Sequence, residues 1–151
     1  MAHLTFENAA VAAGKTAKFV LRVPHGCDGS PTVAVRIAVP KELEGIKPQP
    51  KPGWKLSIVA NDLHQAGAAA SHSHGDAADV KELVWSGGRL EDAFYDEFVF
   101  RASVAKTATG HIFVPVVQQC ESGVERWIEI PATGASSDGL RYPAPSVSVE
   151  P

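Results

Sequence analysis

Short runs of alternating apolar and polar residues, separated by turn-forming residues, constrain the fold of this chain more than any other feature. From Ala17 to Val23 every second residue is apolar, which is the period of a half-buried β-strand. The pattern recurs in TVAVRIAVP, WKLSIV, VKELVW, EFVFRASV, HIFVPVVQQC, VERWIEIP and SVSVE, the last expected at a sheet edge. The predicted apolar faces comprise Val33, Val35, Ile37, Val39, Trp54, Leu56, Ile58, Trp85, Phe98, Phe100, Ala102, Ile112, Val114 and Val116.

Turn-forming residues lie between these runs, in GCDGSP, KPQPKPGW, SGGRLED and SSDG. A helical period extends over no more than one turn, in RLEDAF. Short strands at this spacing are typical of an all-β, antiparallel sandwich of immunoglobulin-like build with about seven to nine strands.

Size and charge narrow the class of protein. The chain has 151 residues, the size of one domain, and we assign residues 1–151 to a single β-sandwich. A formal charge of -3 gives no electrostatic reason to expect nucleic acid as a partner. No apolar run approaches the roughly 18 residues of a membrane span, and no membrane anchor is visible. No signal peptide precedes HLTF, and we expect Met1 and Ala2 to be residues left from expression, so that the mature chain begins at His3.

The segment 61–80, NDLHQAGAAASHSHGDAADV, breaks the alternation and is predicted to be a long loop between two strands. It contains His64, His72 and His74. Two interpretations remain open: a solvated loop whose histidines have no role, or a weak accessory metal site completed by Asp76.

Cys27 and Cys120 are far apart in the chain and do not form a CxxC motif. In a cytosolic protein they would be two buried thiols. In an exported β-sandwich they would form a disulfide that stabilises the fold by about 4 kcal/mol.

Several motifs resemble the YcnI-like domain family of exported bacterial proteins, which are often encoded beside copper-handling genes. They are HLTF, GCDGSPT, KPQPKPGW, VWSGG, YDEFVFR and ESGVERWIEIP, in this order from His3 to about Pro131. The resemblance implies an immunoglobulin-like or cupredoxin-like β-sandwich in the periplasm or outside the cell. It implies Cu(II) as the bound metal, and a copper chaperone of the PCuAC type or a membrane copper transporter as partner.

In the YcnI-like family Cu(II) is held by a mono-histidine brace, formed by the α-amine and the imidazole of an N-terminal histidine, with a tryptophan against the metal. Carried over, these residues are His3 and Trp127. The His-containing loop departs from the family pattern, and Met1 and Ala2 would block the required amine.

The chemistry of these residues agrees with the carry-over. An amine and an imidazole nitrogen from one residue chelate a metal, and Cu(II) leads the divalent ions in affinity for nitrogen ligands. Glu125 falls on the same strand face as Trp127 and is a candidate carboxylate neighbour of the metal. From its pattern alone Trp127 would equally be a core residue, as Trp54 and Trp85 are expected to be.

Two histidines lie outside these assignments. His25, near Asp28, would be a second metal point if Cys27 were a free thiol, whereas His111 is expected in a turn at the surface. Neither a nucleophile elbow nor a phosphate-binding glycine loop occurs. The sequence therefore predicts a non-enzymatic copper-binding protein of the bacterial cell envelope that acts in copper homeostasis or delivery. The alternatives are a copper-dependent oxidase or monooxygenase and a structural or adhesive module.

Overall fold

The computed structural model describes residues 2–60 and 80–151, and its regular structure consists of strands. They are β1 (Thr5–Phe6), β2 (Ala10–Ala12), β3 (Thr16–Val23), β4 (Thr32–Ala38), β5 (Leu43–Pro48), β6 (Lys55–Ala60), β7 (Val80–Leu90), β8 (Asp96–Val104), β9 (His111–Phe113), β10 (Val116–Cys120), β11 (Val124–Trp127) and β12 (Ser146–Glu150). None of the described residues forms a helix long and apolar enough to cross a membrane.

These strands form three sheets. One has the order β1-β3-β8-β5, the second β11-β10-β4-β7-β6, and the smallest β2-β12-β9. Every pair is antiparallel except β2 with β12. The prediction of an all-β sandwich is confirmed. The strands outnumber the seven to nine expected for three reasons. β1 and β2 have only two or three residues, too few for alternation to be recognised. β5 was missed because a register shift between Glu44 and Lys47 interrupts its alternation, and the single predicted run HIFVPVVQQC divides into β9 and β10.

The core lies between the two larger sheets. Phe19 of β3 stacks on Phe100 of β8 with ring centroids 5.0 Å apart. Trp85 of β7 meets Phe98 of β8 edge to face at 5.6 Å, which joins one sheet to the other. The largest fully buried side chains are Trp85, Trp127, Phe19, Phe98 and Phe100. Burial of such apolar side chains is the main term that stabilises the sandwich.

Two residues predicted to lie in the core, Val33 and Ile58, are not buried in it. Val33 is only half-buried because the register between β4 and β7 shifts between Thr32 and Ala34. Ile58 is 54% exposed because β6 is the edge strand of its sheet, where one face meets solvent.

One predicted turn, one predicted helical turn and one predicted edge were also wrong. Most of SGGRLED is strand rather than turn, since β7 continues to Leu90 and a turn begins only at Glu91. Gly88 in this strand admits the Trp54 ring, from which a Cβ would lie 2.2 Å. RLEDAF carries no helix, only a turn closed by the Phe94 N–H donating to the Glu91 carbonyl. The strand β12 lies between β2 and β9 rather than at an edge.

The predicted loop at 61–80 lies outside the described residues, apart from Val80, which begins β7. The interpretations of His64, His72, His74 and Asp76 therefore stay predictions.

Candidate metal centre

The pairing of β1 with β3 determines where the first residues lie. Thr5 pairs with Arg22 and Phe6 with Leu21 in an antiparallel register. Continuing this register beyond β1 places Ala2 opposite His25, just after β3 ends. The segment preceding β1 is thereby brought beside the turn that carries His25.

Three aromatic rings meet at this point. The ring centroids of His3 and Trp127 are 5.6 Å apart, and those of His25 and Trp127 are 6.3 Å apart. Trp127 is fully buried, whereas both histidines are half-buried. Tyr142 packs on the same indole at 5.2 Å. The structure thus brings together His3 and Trp127, and adds His25 to them.

Gln118, fully buried in β10, orients this cluster. Its Oε1 accepts a hydrogen bond of 2.9 Å from the Trp127 indole N–H. Its Nε2 donates to the His25 carbonyl at 2.7 Å and to the Thr32 hydroxyl at 2.8 Å. Gln118 is not among the residues predicted for the site. Its signal in the sequence is that a polar residue continues the inward alternation of Val114 and Val116.

Glu125 of β11 is buried beside the cluster and lies directly opposite Gln118 in the β10–β11 register. Its Oε1 has no hydrogen-bond partner among the described residues. Burial raises the pKa of the Glu125 carboxyl above its ordinary value, the charge of His25 opposes this, and the Asp28 carboxylate adds to it. A buried carboxylate oxygen without a partner is costly and is the kind of group that a cation satisfies.

The predicted disulfide is confirmed: Cys27 and Cys120 are bonded, with Cα atoms 6.1 Å apart. A metal site built on His25, Asp28 and a Cys27 thiolate is therefore wrong, because the sulfur is oxidised. The bond instead fastens the turn that carries His25 to the end of β10. Gly26 is required in this turn, since a Cβ there would lie 1.9 Å from the Ser30 carbonyl oxygen.

Both ring nitrogens of His25 face carbonyl oxygens. Nδ1 donates to the Gly26 carbonyl and Nε2 to the Ala2 carbonyl, each at 2.5 Å. Burial lowers the pKa of the His25 imidazole, but these two hydrogen bonds and the nearby carboxylates of Glu125 and Asp92 outweigh burial, and the net shift is upward. The imidazole is thus held in a fixed orientation at both nitrogens.

Within the described ranges no three His, Cys, Asp or Glu side chains lie close enough to hold a metal by themselves. His111 of β9 is exposed, forms a hydrogen bond of 3.3 Å with Ser148, and belongs to the smallest sheet rather than to the sheet that carries Trp127. A metal bound at the cluster would therefore need a donor in addition to these side chains. The backbone nitrogen of His3 would be such a donor in a chain that begins at His3, where it is a free α-amine. While Ala2 precedes His3, this nitrogen belongs to a peptide bond.

The family model described as "Domain of unknown function (DUF1775)" matches residues 3–149. The chain belongs to the DUF1775 family. A comparison with curated proteins finds no match.

Among solved structures, this DUF1775 chain is similar to an uncharacterized protein from Nocardia farcinica with an immunoglobulin-like fold. The two are 21% identical over 99% of each chain, with a TM-score of 0.75, so the prediction of an immunoglobulin-like fold is confirmed. It is also similar to the third cohesin ScaC of Acetivibrio cellulolyticus, solved with the ScaB dockerin, at 11% identity over 100% of each chain and a TM-score of 0.41. The second likeness is too weak to carry an argument.

Proposed function

We propose that this protein is a copper-binding module of the bacterial cell envelope that acts in copper homeostasis or delivery and is not an enzyme. In a chain that begins at His3, the α-amine and imidazole of His3 would hold Cu(II), with Trp127 against the metal. The observation that carries the proposal is the contact of the His3 ring with the buried Trp127 indole at 5.6 Å.

Glu125 supports the choice of a cation at this place. Its buried Oε1 lacks a hydrogen-bond partner in the described parts of the chain, and it shares the inward face of β11 with Trp127. Copper would supply a positive charge there, and its preference for nitrogen ligands suits the amine and imidazole of His3. The residues present therefore fit the metal.

The cell-envelope location is proposed because Cys27 and Cys120 form a disulfide. Such bonds persist in oxidising compartments and are rare in the cytosol. The resemblance to the YcnI-like family supports the same location. It also supports a PCuAC-type chaperone or a membrane copper transporter as the partner that gives or takes the metal.

Binding without catalysis is favoured by Trp127. The indole contacts the His3 ring at a tilt of 55°, is fully buried, and donates a hydrogen bond of 2.9 Å to Gln118. A copper ion enclosed on that side has less room for oxygen and substrate than an oxidase needs. Oxidation of a substrate in a copper-dependent manner would instead favour the oxidase or monooxygenase alternative.

The test compares two versions of the chain, one beginning at His3 and one retaining Met1 and Ala2. Each is titrated with Cu(II) alone, with copper spectra and tryptophan fluorescence as readouts. The version that begins at His3 is expected to show an amine-plus-imidazole spectrum, and Trp127→Phe is expected to change both its spectrum and the fluorescence quenching. Trp54→Phe, at a half-buried tryptophan outside the cluster, is the matched control and should change neither spectrum nor affinity.

The version that retains Met1 and Ala2 offers a different set of donors. Met-Ala-His can wrap Cu(II) or Ni(II) in a square plane through the terminal amine, two amide nitrogens and the His3 imidazole. We expect this version to bind Ni(II) as well, and to bind without any dependence on Trp127. Identical copper spectra from the two versions would show that the free amine of His3 is irrelevant and would refute the brace.

A further inference from the structure

His25 is aimed at the same point as the N-terminus of a chain that begins at His3. Its Nε2 lies 2.5 Å from the Ala2 carbonyl oxygen. That oxygen is two covalent bonds from the His3 nitrogen, and bond lengths of about 1.2 and 1.3 Å place Nε2 at most about 5 Å from it. Two nitrogens bound to one metal at about 2.0 Å each lie at most about 4 Å apart, so a shift of about 1 Å or less brings Nε2 and the His3 nitrogen within reach of one metal ion.

The other ring nitrogen of His25 is held in the manner typical of metal-binding histidines. Nδ1 donates its proton to the Gly26 carbonyl at 2.5 Å. A histidine ligand usually donates its second N–H to a backbone carbonyl or carboxylate, which selects the tautomer whose lone pair faces the metal. Once the Ala2 carbonyl is absent, this tautomer leaves the lone pair of His25 on Nε2, directed toward the His3 amine.

The surroundings keep His25 in this position. Its carbonyl accepts the Gln118 amide at 2.7 Å, and the next residues are fastened by the Cys27–Cys120 bond. Its ring also packs on Trp127, with centroids 6.3 Å apart, so that Trp127 contacts both imidazoles. A ligand held by so many contacts loses little conformational freedom when it binds.

We propose that in a chain beginning at His3 the Nε2 atom of His25 is a third nitrogen ligand of Cu(II), beside the amine and the imidazole of His3. This inference rests on the proposed function, since it requires the free amine. It changes the site from one histidine to two, which lie at the same end of the antiparallel β1–β3 pair, His3 before β1 and His25 after β3. Three nitrogen donors raise the affinity for Cu(II) over harder cations such as Mg²⁺ and Ca²⁺.

The test counts imidazoles on Cu(II) bound to the chain that begins at His3. Pulsed electron paramagnetic resonance detects the remote nitrogen of each coordinated imidazole, and the unsubstituted protein is expected to show two. His25→Gln should show one, with Cu(II) affinity lower by about tenfold or more, since even groups that only orient a ligand commonly matter 10–100-fold. His111→Gln, at the exposed histidine on β9, is the matched control and should retain two imidazoles and full affinity.

The outcomes separate this inference from the proposed function. One imidazole together with the amine in the unsubstituted protein would overturn the role of His25 and leave the His3 brace intact. A spectrum without the amine nitrogen would overturn both. Because the count is made on the unsubstituted protein, it stands even where His25→Gln fails to fold. In the version that retains Met1 and Ala2, one imidazole is expected, because the Ala2 carbonyl holds Nε2.

Discussion

At the scale of single residues, the geometry of the candidate site depends most on Gln118. One buried amide joins the Trp127 indole, the His25 carbonyl and the Thr32 hydroxyl, groups from three separate segments of the chain. Each of these groups is costly to bury without a partner, so the amide contributes to stability as well as to position. The role of Gln118 follows from what surrounds it, which a single sequence does not display.

Gln118→Leu is expected to lower the free energy of unfolding by about 2 to 3 kcal/mol, because it leaves buried polar groups without partners. Chemical denaturation would measure the loss, and the emission of Trp127 should shift as its N–H bond is removed. Gln119→Leu, a half-buried neighbour that points to the other face, is the control and should cost less than about 0.5 kcal/mol. Equal losses in the two variants would contradict the role given to Gln118.

Gly26→Ala is expected to destabilise the protein by about 3 kcal/mol or more, because the new Cβ would lie 1.9 Å from the Ser30 carbonyl, which is backbone and cannot rotate away. Gly29→Ala in the same turn meets open space but has a φ of 87°, so we expect a loss of only about 1 to 2 kcal/mol. Thermal unfolding of both variants checks the order. A Gly29 variant less stable than the Gly26 variant would show that the turn adapts.

At the scale of elements, the site is assembled by strand register and by one covalent bond. The β1–β3 register brings the residues before Thr5 to His25, and β10–β11 pairing places Glu125 opposite Gln118. The strands themselves could be predicted from alternation, as in β3, where Phe19, Leu21 and Val23 are buried as expected. Pairing between distant strands could not, because it depends on contacts far apart in sequence. The burial of Val33 could not be predicted for the same reason, because it depends on a register shift between β4 and β7 that leaves this residue only half-buried.

Replacing both cysteines by serine is expected to lower the free energy of unfolding by about 4 kcal/mol, since the bond closes a loop across a sequence separation of 93. Urea denaturation of the double variant provides the measurement, and reduced unsubstituted protein should lose a similar amount. A loss below about 1 kcal/mol would mean that β10 and the Cys27 turn are held together without the bond.

At the scale of the whole molecule, the candidate metal centre lies where the two larger sheets meet. His3 and His25 flank strands of the four-stranded sheet, whereas Trp127 and Glu125 belong to the five-stranded one. An all-β sandwich could be predicted from composition and alternation alone. The convergence of His3 and Trp127 was predicted only through family resemblance, and the addition of His25 required coordinates.

Binding of Cu(II) to the chain that begins at His3 is expected to raise its melting temperature. A metal at 100 times its dissociation constant stabilises the folded state by about 2.7 kcal/mol. For a chain of this size that corresponds to roughly 5 to 10 °C in differential scanning calorimetry. His3→Ala should abolish the increase. An increase of equal size in that variant would place the bound copper elsewhere in the molecule.

The β1–β3 register has a consequence for proteolytic processing. Because Thr5 is paired with Arg22 and Leu4 is buried, the position of each preceding residue is set by counting back from the sheet. If cleavage falls one bond earlier, after Met1, Ala2 remains and its carbonyl stays against His25. If cleavage falls one bond later, after His3, the free amine belongs to the buried Leu4, which has no imidazole. Only one scissile bond yields a free amine beside both imidazoles. Under the proposed function, a protease that cut at this bond would therefore act as the enzyme that activates metal binding.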